Sequence, residues 1–190
     1  MAKIGLNNFR YSTATIGVNG SITYGTPKKP AKAVSFTFTP TLAEGKLYAD
    51  DALAEYVSEV VGGTVSMELD KDDINTLKDL LGHTVTTDEE TSNSEDEIPY
   101  VGVGRVTKLM VNGAVKYRGT VLSLVKFKEP TEQDNTKGES IEFNTTTLEG
   151  EMIMPEAGDW RKRKIFDTKS AAIDYIETAL GKTSGTSGTS

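Results

Sequence analysis

The chain has 190 residues, with 28 acidic and 21 basic side chains, a formal charge of −7 and no cysteine. The lack of cysteine excludes disulfide frameworks, thiolate metal sites and cysteine nucleophiles. The acidic balance argues against a strong non-specific grip on nucleic acid, which depends on Lys and Arg neutralising phosphates.

No stretch approaches the ~20 apolar residues of a membrane-spanning helix, and Met1 to Arg10 contains no apolar signal core. The expectation is a chain that folds in a reducing cytosol without membrane insertion. Alternation dominates the pattern from the start. Asn8 to Thr15 places Phe9 and Tyr11 on one face, and Asn19-Gly20 between β-type segments signals a tight hairpin. Ala33 to Thr39 alternates Val34, Phe36 and Phe38 with Ser35, Thr37 and Thr39, and Pro40 is expected to end that strand by removing a ladder donor. Leu42 to Val61 mixes Gly45, the acidic pair Asp50-Asp51 and a weak helical pattern over Ala52 to Val61, and it is assigned to a long loop. Alternation resumes with Val65, Met67 and Leu69.

Asp72 to Leu81 predicts a helix, capped by Asp72 or Asp73. Ile74, Leu77, Leu80 and Leu81 form its apolar stripe, and Gly82 suits the left-handed residue that ends it. Thr84 to Glu97, with six acids including Asp88 and Glu90, has no core pattern and predicts a mobile loop. Tyr100 to Val111 and Ala114 to Lys128 are two β-runs joined by Asn112-Gly113, a pair that tolerates the positive φ angles of a type I′ turn. Both runs exceed the usual strand length of about five to six residues, which points to a barrel or sandwich. Gly138 to Met154 is a further β-run. A second helix is capped by Thr168 and lined by Ile173, Ile176, Ala179 and Leu180.

The fold expected is therefore mainly β (α+β): a two-sheet β-sandwich or barrel with a flanking helix and a C-terminal helix. It forms one domain over residues 1–181, with an N-terminal arm 1–14, a long loop 42–61 and a flexible Thr/Ser/Gly tail 182–190.

Chemistry-bearing motifs are few. His83 is the only histidine, so one chain cannot build a Cys–His pair or a multi-histidine metal site. Its position after the first helix suits a capping role. Asp70 to Asn75 (DKDDIN) lacks the glycine a calcium loop needs at its sixth position. Gly102-Val103-Gly104 opens no helix, so it relieves crowding or permits a strand bend rather than holding phosphate. Trp160 to Lys164 (WRKRK) is the one basic cluster, assigned to a subunit contact or a solvated strand edge. No catalytic, cofactor-binding or metal site is expected, and the chain is not expected to be an enzyme.

At several points in order the chain resembles the phi13-type family of phage major tail proteins. The resemblance lies in Gly5 to Tyr11 with Thr23 to Pro27, in Leu47 to Asp51 (LYADD), in Leu80 to His83 and in Pro99 to Gly104. It continues in Thr136 to Phe143 (TKGESIEF) and Ile165 to Lys169, and spans about residues 5 to 180. What it implies is a tail tube fold and a structural subunit of a long non-contractile tail, self-assembling into stacked, usually hexameric rings around the channel for DNA. The implied partners are further copies of the chain and other tail proteins such as the tape measure and tail terminator. Viral DNA passes through without specific binding. The implied location is the virion tail, after assembly in the host cytoplasm. On this reading Phe9, Tyr11, Leu47, Tyr48, Ala49, Asp50 and Asp51 are the expected subunit-interface residues. The rivals are a contractile-type or secretion-system tube and a monomeric β-sandwich binding module.

Overall fold

The computed structural model describes residues 2–30, 32–49, 52–71, 73–87, 89–131, 145–156 and 158–183. The expectations for Asp50, Asp51, Asp72 and Asp88 lie outside the described residues, as do those for the 136–143 motif and for the tail beyond 183. Ten strands and two helices are described: β1 (Ala2–Ile16), β2 (Ile22–Tyr24), β3 (Ala33–Ala49), β4 (Ala52–Leu69), α1 (Ile74–Leu81), β5 (Thr84–Thr86), β6 (Glu89–Thr91), β7 (Tyr100–Val111), β8 (Ala114–Phe127), β9 (Thr146–Met152), β10 (Arg161–Phe166) and α2 (Lys169–Ala179). The protein is mainly β, as its alternation dictates.

One large antiparallel sheet runs in the order β2-β1-β7-β8-β9-β4-β3, with β10 pairing β8 beside β9. A separate two-stranded sheet joins β5 and β6. The expected pair of sheets is thus one continuous sheet coiled on itself. Phe9 of β1 and Phe36 of β3 lie far apart in the strand order, yet their rings are 5.5 Å apart. The enclosed core takes Phe9 and Tyr11 from β1, Val65, Met67 and Leu69 from β4, Val101 and Val103 from β7, Leu122 and Phe127 from β8, and Leu148 and Met152 from β9. Leu77, Leu80 and Leu81 of α1 complete it. Gly82 ends α1 at φ 86°, and its N–H donates to the Lys78 carbonyl. Asp73 precedes the helix, but its carboxylate accepts from the Thr76 hydroxyl at 2.6 Å rather than from a helix N–H.

The second helix covers the opposite face of the sheet. Ala172 and Ile176 of α2, with Leu180 directly after it, pack on Val106 and Val121. They approach so closely that a Cβ on Gly104 would stand 3.1 Å from both Ile176 and Leu180. Gly102 and Gly104 are therefore present to relieve crowding. Thr168 caps α2 by accepting from the Ala171 N–H at 3.3 Å. Glu177 fastens the helix to β1 and to the chain beyond it, accepting from Arg10 and Lys182, each at 2.8 Å. Those two cations hold its carboxyl below the usual range.

Turn chemistry follows the residues. Asn112 (φ 49°) and Gly113 (φ 80°) form the two-residue connection between the paired Val111 and Ala114. The Asn19-Gly20 turn is wider, closing with Gly17 N–H to the Ser21 carbonyl at 2.8 Å.

Four expectations are corrected. Residues 2–14 are not a free arm, because β1 pairs with β7 along most of its length. Phe9 and Tyr11 drive that pairing by burying into the core, and a bulge at Asn8 (φ 46°) keeps both on the inner side. Within the expected loop 42–61, residues 42–49 and 52–61 are strand, because β3 and β4 stay paired out to Ala49 and Ala52. Cross-strand pairing of Tyr56, Val57 and Val60 overrides the weak helical pattern. The strand also runs through Pro40, because β3 is an edge strand and a missing N–H is tolerated there. Residues 84–91 contain a short hairpin within the stretch expected to be wholly irregular.

Candidate assembly surface

The outer half of the β3–β4 hairpin is the part of the chain that the core does not explain. β9 supports β4 only over Gly63–Leu69. Beyond that point β3 and β4 pair with each other as far as Ala49 and Ala52, forming a ribbon whose residues 40–48 and 54–61 are exposed apart from Val60, which is half-buried against the core. Yet it carries Leu42, Leu47, Tyr48, Tyr56, Val57 and Val61, all between 48% and 65% exposed. A solvated ribbon needs no such side chains. Clustered exposed apolar groups mark interaction surfaces.

Antiparallel register assigns its faces. Directly paired residues share a side of the ribbon, which places Ala43, Glu59, Gly45, Val57, Leu47 and Glu55 together. Glu44, Ser58, Lys46 and Tyr56 lie on the other side. There the Tyr56 hydroxyl donates to Glu44 at 2.7 Å, and the Lys46 ammonium lies 5.9 Å from the centre of the same ring. These contacts stiffen the ribbon internally and leave the first face without a cation.

The sequence-expected interface residues separate into two groups. Leu47 and Tyr48 stand on the ribbon, 57% and 65% exposed. Ala49 ends β3 and pairs with Ala52, flanking Asp50 and Asp51. Phe9 and Tyr11 are 4% and 2% exposed, so they serve the core and present nothing to a neighbour. The Tyr11 hydroxyl donates to Asp79 at 2.8 Å. Burial and that carboxylate raise its pKa well above the ordinary tyrosine value.

Open strand edges accompany the ribbon. β3 ends the large sheet, and β10 pairs only with β8, leaving unpaired N–H and C=O groups of the kind a neighbouring strand can use. The WRKRK cluster supplies β10 itself, so the basic residues stand on a strand edge.

His83 is buried, 7% exposed, and lies between two carboxylates rather than on the helix end. Its Nδ1 is 2.5 Å from Glu90 of β6 and its Nε2 is 2.6 Å from Glu129 beyond β8. Burial alone would push its pKa down. The two carboxylates outweigh burial and hold it above the ordinary value, so the imidazolium ties the β5–β6 hairpin to the end of β8. Nothing in the local sequence announced this link, since Glu129 is 46 residues away.

Described clefts of about 210 and 380 Å³ are shallow and lined largely by charged and hydroxyl side chains, and one of about 280 Å³ mixes three lysines with Leu6, Asn8, Phe9 and Ala33. Among the described residues, no group of three or more His, Asp or Glu is placed to hold a metal ion, and no helix is long and apolar enough to cross a membrane. No family model matches the chain, and no curated protein matches it.

Proposed function

We propose that the chain is a structural subunit of a long non-contractile phage tail. Copies associate into stacked rings, on the hexameric plan the family resemblance implies, around a channel for DNA. The observation that carries this reading is the self-paired β3–β4 ribbon with its exposed apolar side chains.

Full burial of a Leu, Val or Tyr of this kind is worth about 1.5–3 kcal/mol, of which roughly half remains to be gained at each of the six positions. The gross gain is on the order of 6 kcal/mol per ribbon before the costs of association. That is of the same order as the cost of association, so the ribbon contributes a substantial share of the contact and the open strand edges must supply the rest. Cyclic closure would also consume the open edges of β3 and β10. On this reading the protein works by self-assembly, and no residue is assigned a catalytic role.

Negative-stain electron microscopy of the concentrated pure protein tests the proposal. Rings or hollow tubes are expected. A monomer that persists at high concentration rules the proposal out in favour of a β-sandwich binding module.

A further inference from the structure

Four arginines converge on one face of the sheet without an acid between them. Antiparallel register places Arg105 of β7 opposite Thr120 of β8, and Thr120 opposite Arg163 of β10. The next row is Thr107, Arg118 and Ile165, and the row before is Val103, Leu122 and Arg161. Paired residues share a face, so this three-strand patch begins in the core at Val103 and Leu122 and becomes cationic where the core ends. Arg105 stacks on Phe36, its guanidinium 4.2 Å from the ring centre, and Arg161 stacks on Trp160 at 4.3 Å. The rings fix the two guanidiniums in place.

The cluster is electrostatically unfinished. Among the described residues, none of the four ion-pairs across it; the one arginine with a carboxylate partner is Arg10, on another face. Burial, and then Arg118, Arg163 and Arg161, push Arg105 down to about 10. Arg161 and Arg163 are lowered for the same two reasons, burial first. Thr120 is only 1% exposed, and its hydroxyl oxygen, like the Nε of Arg118, is buried without a hydrogen-bond partner. Buried polar groups are rarely left unpaired. In a chain with a surplus of acids, four guanidiniums without a carboxylate partner among the described residues, grouped around the unsatisfied Thr120 hydroxyl, describe a socket for anionic oxygens.

The chain also carries a matching plug. On the cation-free face of the β3–β4 ribbon, Glu55 and Glu59 flank Val57, with Leu47 beside them. Both glutamates are exposed and have no cationic partner among the described residues. They lie roughly 13 Å apart along the strand. Arg105 and Arg163 lie roughly 10 Å apart across two strand spacings. A carboxylate suits this socket better than duplex DNA does, because the patch is compact, three strands wide, and two of its guanidiniums are already held against aromatic rings.

We infer that the arginine face of one subunit receives the Glu55 and Glu59 carboxylates from the β3–β4 ribbon of a second copy. This deepens, and rests on, the self-assembly reading. The ribbon supplies the apolar contact, and the guanidiniums set its register and its partner.

Charge swapping tests the pairing. Three full-length variants are compared with the wild type by sedimentation velocity and electron microscopy: Arg161→Glu with Arg163→Glu, Glu55→Arg with Glu59→Arg, and all four together. Each double variant is expected to raise the concentration needed for assembly at least tenfold, and the quadruple variant to restore it to within about threefold. Thermal melts monitor folding. Should the Arg161/Arg163 variant misfold, Glu55→Gln with Glu59→Gln carries the test on wholly exposed positions and is expected to weaken assembly in the same direction, by less than charge reversal does.

Assembly of either double variant at the wild-type concentration overturns the inference, as does a quadruple variant that fails to recover. Unchanged assembly together with loss of duplex-DNA retention by the Arg161/Arg163 variant also overturns it, and assigns the socket to phosphate. If the wild type assembles and the swaps have no effect, only the pairing falls. A wild type that never assembles overturns both.

Discussion

Replacing Leu47 and Tyr48 with Asp should separate folding from assembly. The two side chains are 57% and 65% exposed towards the far end of a ribbon in which β3 and β4 pair only with each other. Burying what remains of them in a neighbour is worth about 1–2 kcal/mol each, from the roughly 1.5–3 kcal/mol of a full burial. Losing both removes about 2–4 kcal/mol per contact, and a carboxylate enclosed without a partner adds a further penalty. At about 1.4 kcal/mol per factor of ten, the concentration required for assembly should rise at least ~100-fold. The monomer should barely notice. Asp is a poor strand former, but that scale spans only about 1 kcal/mol, and exposed substitutions are usually smaller still. For a chain of this length, ~1 kcal/mol per site lowers Tm by about 2–4 °C each. The assay pairs a circular-dichroism melt with sedimentation velocity over a concentration series. Tubes forming at the wild-type concentration would refute the argument that the ribbon is an assembly element. A collapse of Tm by tens of degrees would refute the claim that it lies outside the core.

Two further predictions concern the body of the fold. Gly102→Ala places a Cβ 2.5 Å from Tyr24 Cε1 and 2.7 Å from Leu180 Cδ2, so overpacking beneath α2 should cost about 1–3 kcal/mol in urea unfolding. A neutral result would mean that α2 is not seated as described. His83 should make stability depend on pH, because its pKa in the folded state is raised above the ordinary 6.5 by Glu90 and Glu129 against the opposing effect of burial. A raised pKa means that the folded state binds the proton more tightly than the unfolded chain does. The stabilisation is then fully present below pH 6.5 and disappears as pH rises through the folded value. The unfolding free energy of the wild type minus that of His83→Gln should therefore shrink with increasing pH. A difference that stays constant across that range would show that the imidazolium does not act as a clamp.

What the sequence could announce depended on whether a residue's partner was near it and whether only one of its faces was buried. Asn112-Gly113 specifies its turn locally, and the alternation of Val65, Met67 and Leu69 or the stripe of Ile176, Ala179 and Leu180 registers one buried face against one wet one. The β3–β4 ribbon defeats that logic. Residues 40–48 and 54–59 are exposed on both faces in the single chain, so no alternation separates core from surface there, and Ala52 to Val61 shows only a faint helical pattern. The resemblance singled out Leu47 and Tyr48, yet the same expectation included Phe9 and Tyr11, which the coiled sheet draws into the core. Aromatic character alone cannot distinguish a core residue from a contact residue. The arginine face was less legible still. Arg161 and Arg163 stood out only as members of a basic run, while Arg105 and Arg118 are isolated in sequence. What joins the four is register across β7, β8 and β10, where Thr120 aligns Arg105 with Arg163. The ribbon and the arginine face share one physical trait: each has apolar or charged groups that the single chain leaves uncompensated. If self-association is their cause, both should become satisfied in the same contact. Substitutions at Leu47 and at Arg163 should then be non-additive in their effect on assembly, whereas two separate contacts would give additive losses.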